Sequence, residues 1–585
     1  MYKNRFIVLA SFLLFYLVLD QSKIFCAINY TEGLEIESKP STPQIKRLRL
    51  TDTLADKPWK GVSGKNVLKI DLGEERQFNT LRFQVKEDIT FTEIKIKAGT
   101  STDNKVQIYL GNNKSALANE WITLKVSKTV ARYINLTLKN SRPKIFELEV
   151  YCTQKDFNGD GYEDVIVGAP YHDAGANIGA ARGQAYVYLG GPILSNTPFF
   201  TFSGDEDDAL LGNSVCSAGD VNNDGFDDVI VGAYYHDAGG ILNANRGQAY
   251  VYLGGPTLSN TPDFTFSGDQ DNLQFGRSVS GAGDVNNDGF DDVIVGAPYH
   301  DADGVDRGQA YVYLGGPILS NTPFFTFSGD ENNAHFGLSV SGAGDVNNDG
   351  FDDVIVGARD QNVGGVDRGQ AYVYSGGPIL SNTPFFTFSG DQNSAYFGVS
   401  VSGAGDVNND GFDDVIVGAY YHNAGGTARG RAYVYSGGPT LSNTPFFTFN
   451  GDEDNGLFGF SVSGAGDVNN DGFDDVIVGA YAHDGGGTDS GHAYVYLGGP
   501  ILSNTPFFAF SGDQDSAYFG GSVSGAGDMN KDGFDDVIIG AEEHDAGGFN
   551  RGRAYVYSGG PTLSSTPALT LSNDQDSAYF GSSVD

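Results

Sequence analysis

Seven times the chain places oxygen-bearing side chains at positions 1, 3, 5 and 9 of a nine-residue stretch, with glycine at position 6. In chain order the sets are Asp156, Asn158, Asp160 and Asp164; Asp220, Asn222, Asp224 and Asp228; Asp284, Asn286, Asp288 and Asp292; and Asp345, Asn347, Asp349 and Asp353. They continue with Asp406, Asn408, Asp410 and Asp414; Asp467, Asn469, Asp471 and Asp475; and Asp528, Asn530, Asp532 and Asp536. Alternate residues of a tightly coiled loop point inward, and the last carboxylate can bind through two oxygens. Position 7 adds a backbone carbonyl, from Tyr162, Phe226, Phe290, Phe351, Phe412, Phe473 or Phe534. Roughly six or seven oxygens form a cage for a hard cation, and an irregular cage suits Ca²⁺ better than Mg²⁺, which demands an octahedron at about 2.0–2.1 Å. The sequence therefore predicts up to seven Ca²⁺ ions. With one Asn and three carboxylates per set, the expected affinity is on the order of 10⁻⁴ to 10⁻³ M. The alternative for a lone stretch of this kind is an Asx-turn with solvated acids; seven in register favour metal more strongly still. The acid at position 8, Asp474 and its equivalents with Glu163 in the first copy, is expected to stay in water.

The spacing of these stretches sets the architecture. Their first residues lie 64 or 61 apart, so each belongs to a repeat of about 60 residues. One repeat runs from FGFSVSGAG (458–466) through the acidic loop into DVIVGA, then a Gly-rich stretch, HAYVYLGGP (492–500) and TPFFAFSGD (505–513). Those are four short runs rich in Val, Ile, Tyr and Phe, bounded by Gly, Asn, Asp and Pro, and no helical period interrupts them. VIVGA follows position 9 at once, so the loop joins two strands. Four antiparallel strands per repeat and seven repeats predict a seven-bladed β-propeller over 153–585. The tail DSAYFGSSVD (576–585) repeats the opening of a blade, DSAYFGGSV (515–523), and then stops. It is expected to supply the innermost strand of blade 1 and close the ring; a truncated array, with 150–153 serving as that strand, is the alternative.

Hairpins of an antiparallel sheet alternate between two rims, so the loop after VIVGA lies opposite the acidic loops. It carries His172, His236, His300, His422, His483 and His544, each sixteen residues after a first Asp, with Gln361 in the fourth copy. These read either as a pH-sensitive ring of partner contacts or as duplicated loop residues without a selected role.

Charge divides the chain. Up to Cys152 there are 24 Lys and Arg against 16 Asp and Glu; beyond it, 12 against 58, or −46. Such an acidic region argues against nucleic acid as a partner and for bound cations. Lys3, Arg5 and the apolar run Phe6–Leu19 read as a secretory signal, 1–27, rather than an anchor, and no later segment is apolar enough to span a bilayer. A linker, 28–47, leads to alternating runs at 48–152, which predict a β-sandwich: NVLKIDLG, LRFQV, TEIKIKAG, KVQIYLG, WITLKV, RYINLTL and IFELEVYC. Cys152 and Cys216 hold equivalent repeat positions, and whether they pair stays open.

Phe275-Gly276, the loop Asp284–Asp292 and Gly296-Ala297-Pro298 together resemble the FG-GAP repeat found in the propeller of integrin α subunits. The resemblance covers about 155–585 and implies a seven-bladed propeller, calcium in loops between first and second strands, and partners on the opposite face. All seven repeats here carry the loop, unlike that family, and no integrin leg, transmembrane or cytoplasmic segment is visible. The N-terminal run order resembles the discoidin, or coagulation factor C-type, galactose-binding-like jelly roll, which implies a glycan- or lipid-headgroup-binding module. Trp59 is its candidate stacking platform, and Trp121 reads as core. No catalytic motif is found, so the expectation is not an enzyme but a secreted or cell-surface calcium-binding recognition or adhesion protein with an extracellular protein or glycan ligand. The alternatives are a surface or matrix scaffold and the noncatalytic part of a secreted glycan-processing enzyme.

Overall fold

The structure, a computed structural model, divides into two units, Met1–Thr153 and Gln154–Asp585. It describes residues 155–585 except 176–178, 240–243 and 303, and before them strand backbones alone. In the first unit these backbones form an eight-stranded and a two-stranded sheet. The runs expected as separate strands at 66–73 and 81–85 share one strand, Ser63–Val85, and it pairs with Trp121–Ser141, which likewise merges two expected strands. The signal run Phe6–Leu19, Cys152 and the side chains of Cys26, Trp59 and Trp121 lie outside the described residues. No helix among the described residues is long and apolar enough to cross a membrane.

In the second unit seven antiparallel sheets follow one another as the blades of a propeller. Blade 6 is typical, with strands Phe458–Gly466, Asp475–Ala480, His492–Tyr496 and Phe508–Ser511. Every residue of its second strand, DVIVGA, is buried, as in a sheet covered on both faces. The core lies between blades. The Phe of an outermost strand stacks on the Tyr that ends the next blade's third strand, as Phe266 does on Tyr313 at 3.9 Å and Phe388 on Tyr435 at 3.9 Å. Each such aromatic side chain contributes about 1.5–3 kcal/mol through burial. The exposed outer edge is managed too: the Asn260 side chain accepts from the Ser203 amide at 2.6 Å and donates to its carbonyl, capping the previous blade's outermost strand.

First strands line the axis and are tied blade to blade. The Ser214 hydroxyl accepts from the Val279 amide, and the same bond recurs from Ser278 to Val340, Ser339 to Val401, Ser400 to Val462, Ser461 to Val523 and Ser522 to Val584. Ser583 to Val215 completes the circle at 3.1 Å. Blade 1 has three strands of its own, beginning with Val165–Ala169, and the tail pairs with that strand: Ile166 donates to the Asp585 carbonyl at 2.8 Å and Asp585 to the Ile166 carbonyl at 3.0 Å. The tail thus occupies the first-strand place of blade 1, and Asp585 anchors it through Lys155 Nζ at 2.6 Å and the Ser217 amide at 2.8 Å.

Candidate metal centres

Each acidic loop spans the hairpin between first and second strands. Its first carboxylate collects the turn: in loop 6, Asp467 Oδ1 accepts from the Asp471 amide at 2.9 Å and Oδ2 from the Gly472 amide at 2.8 Å. Asp471 Oδ1 in turn accepts from the Phe473 amide at 3.1 Å. Position 9 closes the loop, for Asp475 accepts from Val468 at 2.9 Å and from Gly498, beyond the third strand, at 2.7 Å. The residue at position 4 has positive φ in every copy; Asn470, at 56°, tolerates this, and in blade 1 the position is Gly159, against which Phe226 of blade 2 packs too closely for any Cβ.

In all seven loops the carboxylates at positions 1 and 5 lie within electrostatic reach of the one at position 9, which is wholly buried in each. Burial, followed by the neighbouring carboxylates against the backbone amides, pushes Asp353, Asp414, Asp475 and Asp536 up to about 8 and raises Asp164, Asp228 and Asp292 as well. Like charges in one dry site are the condition a cation relieves. Asn286 Oδ1, at position 3 of loop 3, is buried without a hydrogen-bond partner, as a ligand oxygen would be. Among the described residues, however, no three carboxylate, imidazole or thiol groups converge as a ready-made metal cluster; the carboxylates turn onto their own loop amides. The Asn at position 3 takes two orientations. In loops 4, 5 and 7 its amide donates to Ser375, Ser436 or Ser558, while in loops 1, 2, 3 and 6, where leucine replaces that serine, it donates to the position-5 carboxylate.

Position 8 departs from expectation. It leaves water and clasps the neighbouring blade: Asp474 Oδ2 accepts from the Asp406 amide at 2.8 Å, and burial raises it to about 7. The bond recurs round the ring, from Asp156 to Asp227 at 3.0 Å through Asp467 to Asp535 at 2.9 Å, and Glu163 closes the circle on Asp528. Its clearest sequence signal is the longer Glu163 at the seam between blades 7 and 1. The partner crowds the glycine that precedes six of the seven first Asp residues, since a Cβ on Gly466, at φ 70°, would lie 2.2 Å from Asp535 Oδ2; in blade 1 the position is Lys155.

On the opposite rim five of the six histidines turn onto acids of the segment that enters their own blade. His422 Nδ1 accepts from the Ala424 amide at 2.9 Å, which leaves the proton on Nε2, 3.2 Å from Asp391 on the segment that enters the same blade. His236, His300, His483 and His544 repeat the arrangement on Glu206, Asp269, Glu453 and Asp513. Gln361 substitutes for histidine by donating from Nε2 to Asp330 at 3.2 Å. Cys216 is a free thiol, pushed up to about 12 by burial.

Comparison with known proteins agrees with this geometry. The FG-GAP repeat matches residues 156–188, 211–252, 275–313, 336–374, 397–435, 458–496 and 519–557. The chain is similar to integrin alpha-5 of Xenopus laevis, 32% identical over 219 residues that make up 36% of this chain and 20% of that protein. It is similar also to integrin alpha-IIb of Mus musculus, 35% identical over 203 residues, 32% of this chain and 18% of that one. With phosphatidylinositol-glycan-specific phospholipase D of Homo sapiens it shares 28% identity over 326 residues, 49% of this chain and 37% of that protein. The chain thus spans well under half the length of these relatives. Among solved structures it is similar to the CBM32 of AlyQ in complex with 4,5-unsaturated mannuronic acid, at 18% identity over 17% of this chain and 81% of that one, with a TM-score of 0.16. One match on each blade shows that the propeller of this chain is built of seven FG-GAP repeats.

Proposed function

We propose that this chain is a secreted or cell-surface recognition protein whose propeller takes Ca²⁺ into its seven acidic loops and offers the opposite face to an extracellular partner. The observation that carries the reading is the sevenfold burial of the position-9 carboxylate beside those at positions 1 and 5. In loop 6 the holding residues would be Asp467, Asn469, Asp471 and Asp475 with the Phe473 carbonyl, and the other six loops follow by register. Bound Ca²⁺ would supply positive charge to a region of net −46; the chain's own residues bind and orient it and exclude water behind position 9. The likeness to integrin α subunits supports an adhesive role, and the run order of 48–152 supports a carbohydrate-binding module there. We read the chain as noncatalytic.

Calorimetric titration of Ca²⁺ into the EDTA-treated full chain tests this reading. The expected result is uptake of several ions with dissociation constants on the order of 10⁻⁴ to 10⁻³ M, and a melting point raised by calcium because each site occupied at tenfold excess adds about 1.4 kcal/mol. No heat of binding and identical melting with calcium and with EDTA would overturn it.

A further inference from the structure

Because the blades are copies, the positions at which they differ mark what the fold does not dictate. The acidic loop through VIVGA is letter-identical in five copies. The two residues directly after it read Pro-Tyr, Tyr-Tyr, Pro-Tyr, Arg-Asp, Tyr-Tyr, Tyr-Ala and Glu-Glu in blades 1 to 7, and the residue after the glycine that opens each first strand differs in every blade. All these positions lie at the axial end of the rim opposite the acidic loops.

There the aromatic and charged ones among them meet their neighbours in two runs of contacts. The Tyr171 ring is 5.0 Å from Tyr579 of the tail and within electrostatic reach of Tyr235 and Glu542. Arg277 lies 4.6 Å over Tyr234. Tyr299 faces His335, which meets Asp360 at 2.7 Å, and the adjacent Arg359 lies 5.5 Å over Tyr396. Tyr396 leads to Tyr420 at 5.6 Å, Tyr420 to Phe460 at 5.3 Å, and Phe460 to Tyr481 at 4.2 Å, which returns electrostatically to Glu542. Tyr171, Tyr421 and Tyr235 are 44%, 43% and 36% exposed.

The charge of this mouth indicates its ligand. Two guanidinium groups stand against Asp360, Asp489, Glu542 and Glu543, a milder excess of acid than the 58 acids against 12 bases of the whole region. The two guanidinium groups already cover Tyr234 and Tyr396, so a cationic ligand meets repulsion where the rings would otherwise attract it. The rings left open are amphipathic, flanked by the carboxamide of Asn213 and the acids, a set that pairs an apolar face with hydrogen-bonding groups. We propose that this aromatic mouth binds an uncharged oligosaccharide, with sugar faces on Tyr171, Tyr235 and Tyr421 and hydroxyl groups on the surrounding polar side chains. The assignment rests on the recognition role proposed above and names its ligand class.

The test is calorimetry on the calcium-loaded full chain with mannan, cello-, chito- and galacto-oligosaccharides, alongside oligolysine and heparin. Saturable binding of a neutral oligosaccharide is expected, weakened about tenfold by either Tyr171→Ala or Tyr421→Ala and unchanged by Ile318→Ala on the other rim. Melting points of the variants should match the parent. Calcium uptake without neutral-glycan binding overturns this inference and leaves the calcium reading standing. Glycan binding that survives the double tyrosine variant, or preference for oligolysine or heparin, overturns it as well.

Discussion

Asp414 is wholly buried, and burial, followed by Asp406 and Asp410 against the Gly437 amide, pushes its carboxyl up to about 8. The folded pKa lies above the usual 3.8, so between those values the folded chain holds the extra proton. Stability of the calcium-free protein from this group is therefore present at low pH and lost as pH rises toward about 8. Asp353, Asp475 and Asp536 act in the same direction. Asp452 acts in the other: hydrogen bonding to His483 holds it at about 2, and its contribution is lost as pH falls from 3.8 through that value. EDTA-treated protein should accordingly melt higher at pH 5 than at pH 8, about one and four units above the unshifted carboxyl range. With calcium the order should reverse, because protons compete with the ion for the same oxygens. Scanning calorimetry at both values, with and without metal, checks both signs.

Among the elements, the first strands bear most directly on ring closure. Ser461→Ala removes the acceptor for the Val523 amide, and Ser583→Ala removes that for Val215. Each leaves a partly buried donor unsatisfied and should cost about 1–3 kcal/mol. Equal losses in urea denaturation are expected, since the tail strand holds the same place as an internal one; a negligible loss for Ser583→Ala would mean that the tail is not seated. The four strands, the hairpin loops and the tail's role were legible because they depend on local pattern and on repetition. Position 8 was not: Asp474 finds its amide 68 residues away, and a buried clasp and a solvated acid are written with the same letter. The histidines were placed on the correct rim, but their turn depends on Asp391 and its counterparts, 30 or 31 residues upstream on the segment entering the blade.

For the molecule as a whole, charge is the main burden. A region with 58 acids against 12 bases repels itself, and salt screens that repulsion over about 8 Å at physiological strength. The melting point of the calcium-free chain should rise with added sodium chloride, and that of the calcium-loaded chain should respond less; equal slopes would separate calcium from charge compensation. The aromatic mouth was invisible to motif reading because tyrosine pairs carry no spacing signature, yet divergence among otherwise identical copies marks it. Closure by the tail has a consequence for assembly in time. Lys155 and Asp585, 430 positions apart, must meet before blade 1 is complete, so the ring stays open while every other blade is synthesised. During that interval the vacant edge of blade 1 faces near-copies of its true partner on six other blades, and Lys155 and Glu163, where those blades carry glycine and aspartate, are the residues that set the correct seam apart from the copies.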